Sequence, residues 1–351
     1  MPSPQPRPLA TLPKAHLHLH FTGSMRPETV REMASAHGLR LPGMLTGEPR
    51  ASFDVDDDAR GWFRFQRTYD AARHCVRGEA DMRRIVREAA IDDGAEGSRW
   101  LELQIDPTSY APFVGGITPA LEIVLDEAAS VSQEPGAAAV GIMVAASRMR
   151  HPLEARTLAR LAARYAGDGP GAVVAFGLSN DERRGDTAEF QAAFALARRA
   201  GLLLAPHAGE LLGPRAVEET LNWLAPDRIG HGVRSVEDPR LVDRLAREGV
   251  SLEVCPGSNV ALGVYDEDRD VPLRRLLNAG VQVALGADDP LIFGSRLVDQ
   301  YAVARSVHGL TDTDLAALAR GSIEASRAPE HVRRQSLGDI DTWLTSPQPS
   351  A

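Results

Sequence analysis

The strongest constraint on the fold of this chain is a repeated alternation between short apolar runs and longer amphipathic stretches. Eight runs have the length and composition of buried strands: 15–20, 100–106, 140–146, 172–178, 202–207, 228–231, 251–255 and 282–287. Stretches with helical spacing of apolar residues, such as 152–166 and 237–247, separate most of them. Strand–helix alternation predicts a parallel sheet, and eight such units predict a closed (β/α)8 barrel of the TIM type in the α/β class.

The rest of the sequence fits around one barrel domain that spans residues 1–351. The segment 24–99 is longer than one helix needs, so we expect extra helices inserted after the first strand. Residues 309–345 have the pattern of a C-terminal helical cap, and the proline-rich start, 1–12, is expected to be a flexible arm. No apolar run approaches the ~18–20 residues of a membrane span, and no secretory signal is visible, so we expect a cytoplasmic protein without a membrane partner.

Composition excludes several classes of function. A net charge of −9 disfavours a nucleic-acid partner, which would need a basic surface. Cys75 and Cys255 form no CxxC pair, in agreement with a reducing compartment. Lys14 is the only lysine, which argues against a Schiff base or a carbamylated lysine that bridges two metals. The oligomeric state cannot be read from the sequence.

Three histidines alternate within the first apolar run, in the stretch "KAHLHLHFTG" at 14–23. In a strand, His16, His18 and His20 would line one face, with neighbours roughly 6.6 Å apart along the chain. A zinc ion needs each imidazole nitrogen at about 2.0–2.1 Å, which two neighbours can satisfy and three cannot. Barrel active sites lie at the C-terminal ends of the strands, so we place His18 and His20 in the site and leave His16 out.

Other predicted strands also end in polar residues. Strand five is followed by His207 and Glu210, strand six ends at His231, and strand eight is followed by Asp288 and Asp289. Each has an ordinary structural explanation, such as a buried histidine or an aspartate that caps a helix beginning with proline. Because four of the eight strands end in residues suited to metal binding or acid–base catalysis, we predict one shared site at the mouth of the barrel.

Five motifs together resemble the adenosine deaminase family of the amidohydrolase superfamily: "PKAHLHLHFTGSMRPE", "HAGE", "RIGHGV", "EVCPGSN" and "GADDPLIF". They occur in the family's order from about residue 12 to 295. The resemblance implies a barrel with one zinc ion per chain and a small-molecule purine nucleoside as substrate. The implied metal ligands are His18, His20, His207 and Asp288.

The resemblance also implies a reaction, the hydrolytic deamination of adenosine or deoxyadenosine to inosine or deoxyinosine with release of ammonia. Three imidazoles and a carboxylate suit zinc and leave a position for water, whose pKa falls to roughly 7 on the metal. Glu210 would protonate ring N1 as general acid. His231 would hold the water, Asp288 would accept its proton, and Asp289 would contact ring N7 through a shared proton.

Two departures from the family pattern concern substrate recognition. The family's first motif usually continues as HxHLDG, with an aspartate that contacts the 5′-hydroxyl, and this chain has Thr22 there. The family also tends to have a glycine in a LAGDE-like motif after strand four, where this chain has Asn180. We therefore expect His20, Thr22, Asn180 and Asp289 to contact the substrate. A 5′-modified adenosine such as aminodeoxyfutalosine is an alternative substrate.

Two further segments have two explanations each. Arg148 and Arg150 in "SRMRH" could favour an anionic 5′ group, or could begin a helix and form ion pairs. Trp62, Phe65 and Tyr69 have helical spacing and could form either an apolar lid over the site or an ordinary core stripe.

Three other functions remain as rivals. A binuclear amidohydrolase that cleaves an ester, amide or lactone needs a lysine or acid at strand four, where the sequence reads "AVVAFGLSN". Base-flipping zinc deaminases carry HxE and PCxxC signatures, and neither occurs here. A catalytically dead barrel that only binds ligands is the third, and an assay of ammonia release would decide it.

Overall fold

A computed structural model describes residues 6–47, 53–55 and 59–347 of the chain. In these ranges eight parallel strands form one sheet in the order β1 to β8, which confirms the predicted (β/α)8 barrel. The strands are β1 Lys14–His20, β2 Ser98–Ile105, β3 Ala139–Ser147, β4 Val173–Ser179, β5 Leu203–Ala208, β6 Arg228–His231, β7 Ser251–Val254 and β8 Val283–Leu285. Each predicted run is a strand, and no boundary differs by more than two residues.

Helices surround the sheet, and four of them fill the long segment between β1 and β2, as the length of 24–99 predicts. These four are α1 Pro27–Ala36, α2 Gly43–Thr46, α3 Ala59–Arg73 and α4 Glu79–Ala95. The later ones are α5 Ala111–Val114, α6 Ile117–Val131, α7 Pro152–Arg164, α8 Gln191–Arg199, α9 Pro214–Leu224, α10 Pro239–Glu248, α11 Pro256–Ala261, α12 Leu273–Asn278, α13 Pro290–Phe293, α14 Leu297–Ser306, α15 Asp312–Ala325 and α16 Glu330–Thr345. Across the described ranges, no helix has both the length and the apolar content needed to cross a membrane.

The barrel closes between β1 and β8 at its C-terminal mouth. The His20 amide donates to the Asp288 carbonyl at 3.0 Å, and the Asp288 amide donates to the His18 carbonyl at 3.0 Å. Three residues predicted to bind the metal therefore also form the seam of the barrel.

The C-terminal helices complete the outer layer and cover the floor of the barrel. Helix α15 packs against β8 and β1. The chain beyond it reaches inward, where the Ala325 carbonyl accepts a bond from Arg228 at 2.8 Å and the Arg327 amide donates to Glu102 at 2.8 Å.

The described part of the N-terminal arm is anchored to the C-terminal helices, while residues 1–5 lie outside the described ranges. Arg7 pairs with Asp312 at 3.8 Å, and the Trp343 indole donates to the Pro8 carbonyl at 3.1 Å. Residues 7 and 8 of the expected arm thus contact the C-terminal helices, and Leu12 is fully buried, whereas residues 6–11 are exposed or only partly buried.

Candidate active site

Four side chains from β1, β5 and the end of β8 converge at the mouth of the barrel. Asp288 Oδ1 lies 3.1 Å from His20 Nε2 and 3.5 Å from His18 Nε2. His207 Nε2 lies 3.3 Å from His20 Nε2. These four residues are the predicted ligand set, and the structure brings them together.

The three distances among these atoms, 3.1, 3.3 and 3.5 Å, are compatible with a shared metal ion. Four donors placed tetrahedrally at ~2.0–2.1 Å from zinc lie about 3.3–3.4 Å from one another. The buried Nε2 atom of His18 has no hydrogen-bond partner of normal geometry among the described residues. This nitrogen is therefore available to bind a metal ion. Three imidazoles and one carboxylate in this arrangement suit zinc.

Buried partners behind the ligands fix their orientation. His18 Nδ1 donates to Glu253 at 2.9 Å, which leaves Nε2 to face the cluster. The other oxygen of Glu253 accepts a bond from Arg228 Nε at 2.7 Å. Ser258 Oγ donates to Asp288 Oδ2 at 2.6 Å and so holds the carboxylate in place.

Electrostatics differ between the ligand imidazoles. Burial alone lowers the pKa of His18, but Asp288 and Glu253 outweigh it and raise that pKa to about 10. A metal ion bound at His18 Nε2 would replace the proton that this nitrogen carries in the charged imidazole. Burial and the neighbouring imidazoles lower the pKa of His207 well below its ordinary value, so its ring is neutral and able to act as a ligand.

The predicted acid, Glu210, lies next to this cluster and is buried. Its Oε1 is 3.5 Å from His231 Nε2. Burial, followed by the charges of Asp288 and Glu182, raises the pKa of Glu210 well above its ordinary value, which favours the protonated form that a general acid requires. Burial lowers the pKa of His231 to about 3, so the imidazole is neutral near pH 7.

Asp289 is buried beside the same cavity. Burial and the charge of Asp288 raise its pKa well above the ordinary value, and its Oδ1 has no hydrogen-bond partner among the described residues. The carboxyl group rests on Gly23, where an added Cβ would lie only 1.8 Å from Oδ1. A protonated Asp289 can donate a hydrogen bond to a ligand.

Three of the predicted site residues have left-handed backbone conformations: Asn180 with φ 80°, His231 with φ 63° and Asp288 with φ 62°. Asparagine, aspartate and histidine are the non-glycine residues most often found in this region, and such conformations cluster at functional sites. Asn180 thus adopts a backbone conformation that glycine reaches without steric cost.

A cavity of about 680 Å³ opens onto the cluster. His20, Asn180 and Asp289 line it, whereas Thr22 does not. Thr22 is fully buried, with its hydroxyl 2.5 Å from the Tyr110 hydroxyl, and Tyr110 lines the cavity. A substrate contact by Thr22 stays a prediction, and in this structure the Tyr110 hydroxyl occupies its hydrogen-bonding position.

The structure also shows where the arginine-containing segment 147–151 and the aromatic segment 62–69 lie. Arg148 is buried and donates to the His207 carbonyl at 2.7 Å, so it supports the backbone, whereas Arg150 lines the cavity and pairs with Glu154 at 3.1 Å. The three aromatic residues with two explanations, Trp62, Phe65 and Tyr69, line the cavity together with Phe63 of the same helix.

His16 lies outside the metal cluster. Its Nδ1 is 3.0 Å from Asp93 Oδ1, and its Nε2 accepts a bond from the Ala287 amide at 3.0 Å. His16 therefore ties β1 to the residue before Asp288, and both of its nitrogens are engaged.

Sequence reasoning missed several residues around the site. Glu253 and Ser258 lie inside the "EVCPGSN" motif, where their polarity in an apolar strand and at a helix start was an available signal. Gln104 pairs in register with His20 and lines the cavity, and neither polar atom of its amide has a partner within the described part of the chain. Its signal was a polar residue near the C-terminal end of a predicted strand.

A parallel eight-stranded barrel with a histidine–aspartate cluster at its mouth defines a metal-dependent hydrolase of the amidohydrolase type. The chain belongs to the adenosine deaminase family, whose profile matches residues 13–343, and this confirms the resemblance seen in the motifs. The family is metal-dependent.

Relatives and a solved structure support this assignment. A Streptomyces virginiae protein named "Putative adenosine/adenine deaminase" is 59% identical over 340 residues, which cover 97% of this chain and 98% of the relative. A Rhizobium leguminosarum protein named adenine deaminase is 34% identical and covers 94% of this chain and 99% of its own length. The crystal structure of adenine deaminase from Arthrobacter aurescens has a TM-score of 0.85 at 28% identity, covering 95% of this chain and 99% of that structure.

Proposed function

We propose that this protein is a zinc-dependent deaminase that replaces the 6-amino group of an adenine ring by oxygen and releases ammonia. One observation carries the proposal: a four-donor metal cluster lies beside two buried carboxyl groups, Glu210 and Asp289, around a single cavity. Zinc bound by His18, His20, His207 and Asp288 would supply a water whose pKa is lowered to about 7.

The protein's own groups handle the protons of the reaction. Protonated Glu210 donates to ring N1, which makes C6 a better acceptor for the attacking water. Neutral His231 would hydrogen-bond that water, and Asp288 would take the first proton that it loses and pass it to the departing amine, which leaves as ammonia. The second proton, on the new C6 hydroxyl, would return to Glu210, so that the 6-oxo purine remains and the acid is restored.

Asp289 recognises the ring in this scheme. In the 9H tautomer of adenine, and in adenosine, N7 carries no hydrogen and accepts a hydrogen bond, which a protonated carboxyl can donate. The raised pKa of Asp289 favours that form. With Glu210 on N1 and Asp289 on N7, the two acids hold the purine with C6 toward the metal cluster.

We infer that free adenine is the main substrate, which revises the expectation of adenosine. Thr22 stands where family members that read the 5′-hydroxyl have an aspartate, and Tyr110 covers it. The name of the 34%-identical relative, adenine deaminase, agrees with this inference. Adenosine is the second candidate, because a cavity of about 680 Å³ has room for a nucleoside.

The test is ammonia release by zinc-loaded protein from adenine, adenosine, deoxyadenosine and aminodeoxyfutalosine in parallel. We expect the highest kcat/KM with adenine, and one zinc per chain by metal analysis. Glu210→Gln should retain zinc and lose about 10²–10⁴-fold in kcat, because an amide cannot protonate N1. The proposal fails if no 6-aminopurine releases ammonia, or if Glu210→Gln stays within about threefold of wild type.

A further inference from the structure

A buried carboxylate outside the cavity binds the backbone that carries Glu210. Glu182 follows β4 and is only 5% exposed. Its Oε1 accepts the Gly209 amide at 2.5 Å, and its Oε2 accepts the next three amides, at 3.1, 2.8 and 2.9 Å. These three belong to Glu210, Leu211 and Leu212. Successive amides turned toward one point form an anion-binding concavity, which here holds a side chain of the protein itself.

The same segment is held at its other end by a buried cation. Arg148, which follows β3, donates to the His207 carbonyl at 2.7 Å and to Thr187 at 3.0 Å. Between the two anchors, Gly209 has φ 68°, and a Cβ there would lie 2.4 Å from Val217. The path from the metal ligand His207 to Glu210 is therefore fixed from outside by the loops after β3 and β4.

Neither Glu182 nor Arg148 is among the residues that line the cavity, so neither can touch a substrate there. All four amide bonds of Glu182 go to one short segment, and that segment contains the proposed general acid. Burying a carboxylate is costly unless it is fully hydrogen-bonded, and the backbone bonds that this one accepts go to the mostly buried segment 209–212.

We propose that Glu182 is a positioning residue for the reaction, which holds the 209–212 backbone so that the Glu210 carboxyl reaches the substrate ring. The inference rests on the proposed function, since it gives Glu210 the role of general acid. Displacement of a catalytic group by ~1 Å can cost on the order of 10²-fold in rate, so loss of this anchor should be visible in kcat.

The first test is Glu182→Gln, which keeps the size of the side chain but turns one acceptor oxygen into an NH₂ group that opposes a backbone amide. We expect kcat to fall by about 10- to 100-fold, with one zinc per chain and little change in KM. Hydrogen exchange of a peptide covering 207–213 should become faster. If the variant does not fold, Glu182→Asp, which keeps the charge but shortens the reach, takes its place in the same measurements.

The matched control is Glu88→Gln. Glu88 is also a buried carboxylate, but it bonds Thr29 and Arg84 far from the cavity. We expect it to lower the melting temperature while leaving kcat and the exchange of 207–213 at wild-type values. An equal loss of kcat in both variants would overturn the proposal, because the effect would then follow from general destabilisation.

A double-mutant cycle separates positioning from an independent effect. If Glu182 acts through Glu210, Glu182→Gln should cost little further activity in a Glu210→Gln background. Full additivity of the two losses overturns the inference, as does a Glu182→Gln variant with wild-type kcat. If Glu210→Gln itself is as active as wild type, the proposed function fails instead, so the two failures are distinguishable.

Discussion

Gln104, the residue before the end of β2, has an amide that no protein group in the described ranges satisfies, although the side chain is only 2% exposed and lines the cavity. An unsatisfied buried polar group costs about 1–3 kcal/mol, so the rest of the protein supports this amide poorly. Its place in register with His20 puts it where water or substrate can supply the missing partner.

We therefore predict that Gln104→Met, which keeps the length of the side chain, raises the melting temperature and lowers kcat/KM for adenine. Thermal unfolding and steady-state kinetics on the same preparation measure both effects. Thr220→Val is the control, since it also removes a buried, unpaired oxygen, in α9 away from the cavity. It should raise the melting temperature without changing kcat/KM. A Gln104→Met protein that is both less stable and fully active would contradict the prediction.

At the scale of elements, the sequence predicted the strands better than the helices. Apolar runs of four to eight residues mark buried parallel strands because both faces of the sheet are covered. Short helices such as α2, α5 and α13 have no comparable signal, since helices of one turn depend on tertiary packing. The convergence of His18, His20, His207 and Asp288 was predictable because each lies at or just after the end of a strand.

The residues that pack against the end of a strand could not be predicted from the sequence of that strand. Thr22 was expected to face the substrate because its position along the chain follows His20, yet Tyr110 from a distant segment covers it. Glu182 was not singled out for the same reason, since its four partners lie 27 to 30 residues further along the chain. Contacts of this kind depend on how loops from different strands pack together.

The turn after β4 gives a prediction at this scale. Asn180 leaves the strand with φ 80°, and its Oδ1 accepts the amide of Asp181 at 2.8 Å. A left-handed conformation costs roughly 1–2 kcal/mol for an ordinary L-residue and little for glycine. Asn180→Gly should therefore keep stability near wild type, whereas Asn180→Ala should lose about that free energy of unfolding in urea denaturation. Equal stability of the two variants would show that the turn is not strained.

At the scale of the whole molecule, a buried network crosses the interior of the barrel. Arg228 on β6 is bonded to Glu253 on β7 and to Glu102 on β2, and Glu253 binds the ring of His18. Because β2 and β6 are not neighbours in the sheet, these bonds span the barrel. Glu102 also accepts the Arg327 amide, so the segment after α15 is linked to a metal ligand.

This network predicts that Glu253→Gln weakens metal binding at a distance from the ligands themselves. The amide removes the negative charge that supports His18, and loss of such a partner typically costs 10–100-fold in metal affinity. Competition for zinc with a chelator measures the affinity, and Glu88→Gln is again the control. Wild-type affinity in Glu253→Gln would mean that the network serves stability alone.

The seam between β1 and β8 bears on how a cell assembles this enzyme. His18 and His20 are made near the start of synthesis, but the backbone bonds that fix them come from Asp288, about 270 residues later. Until the chain has been synthesised to residue 288, it has neither the predicted fourth ligand nor the closed barrel that aligns the first two. We therefore expect the metal to be acquired late, by the closed barrel, so that the supply of metal determines the active fraction of protein already made.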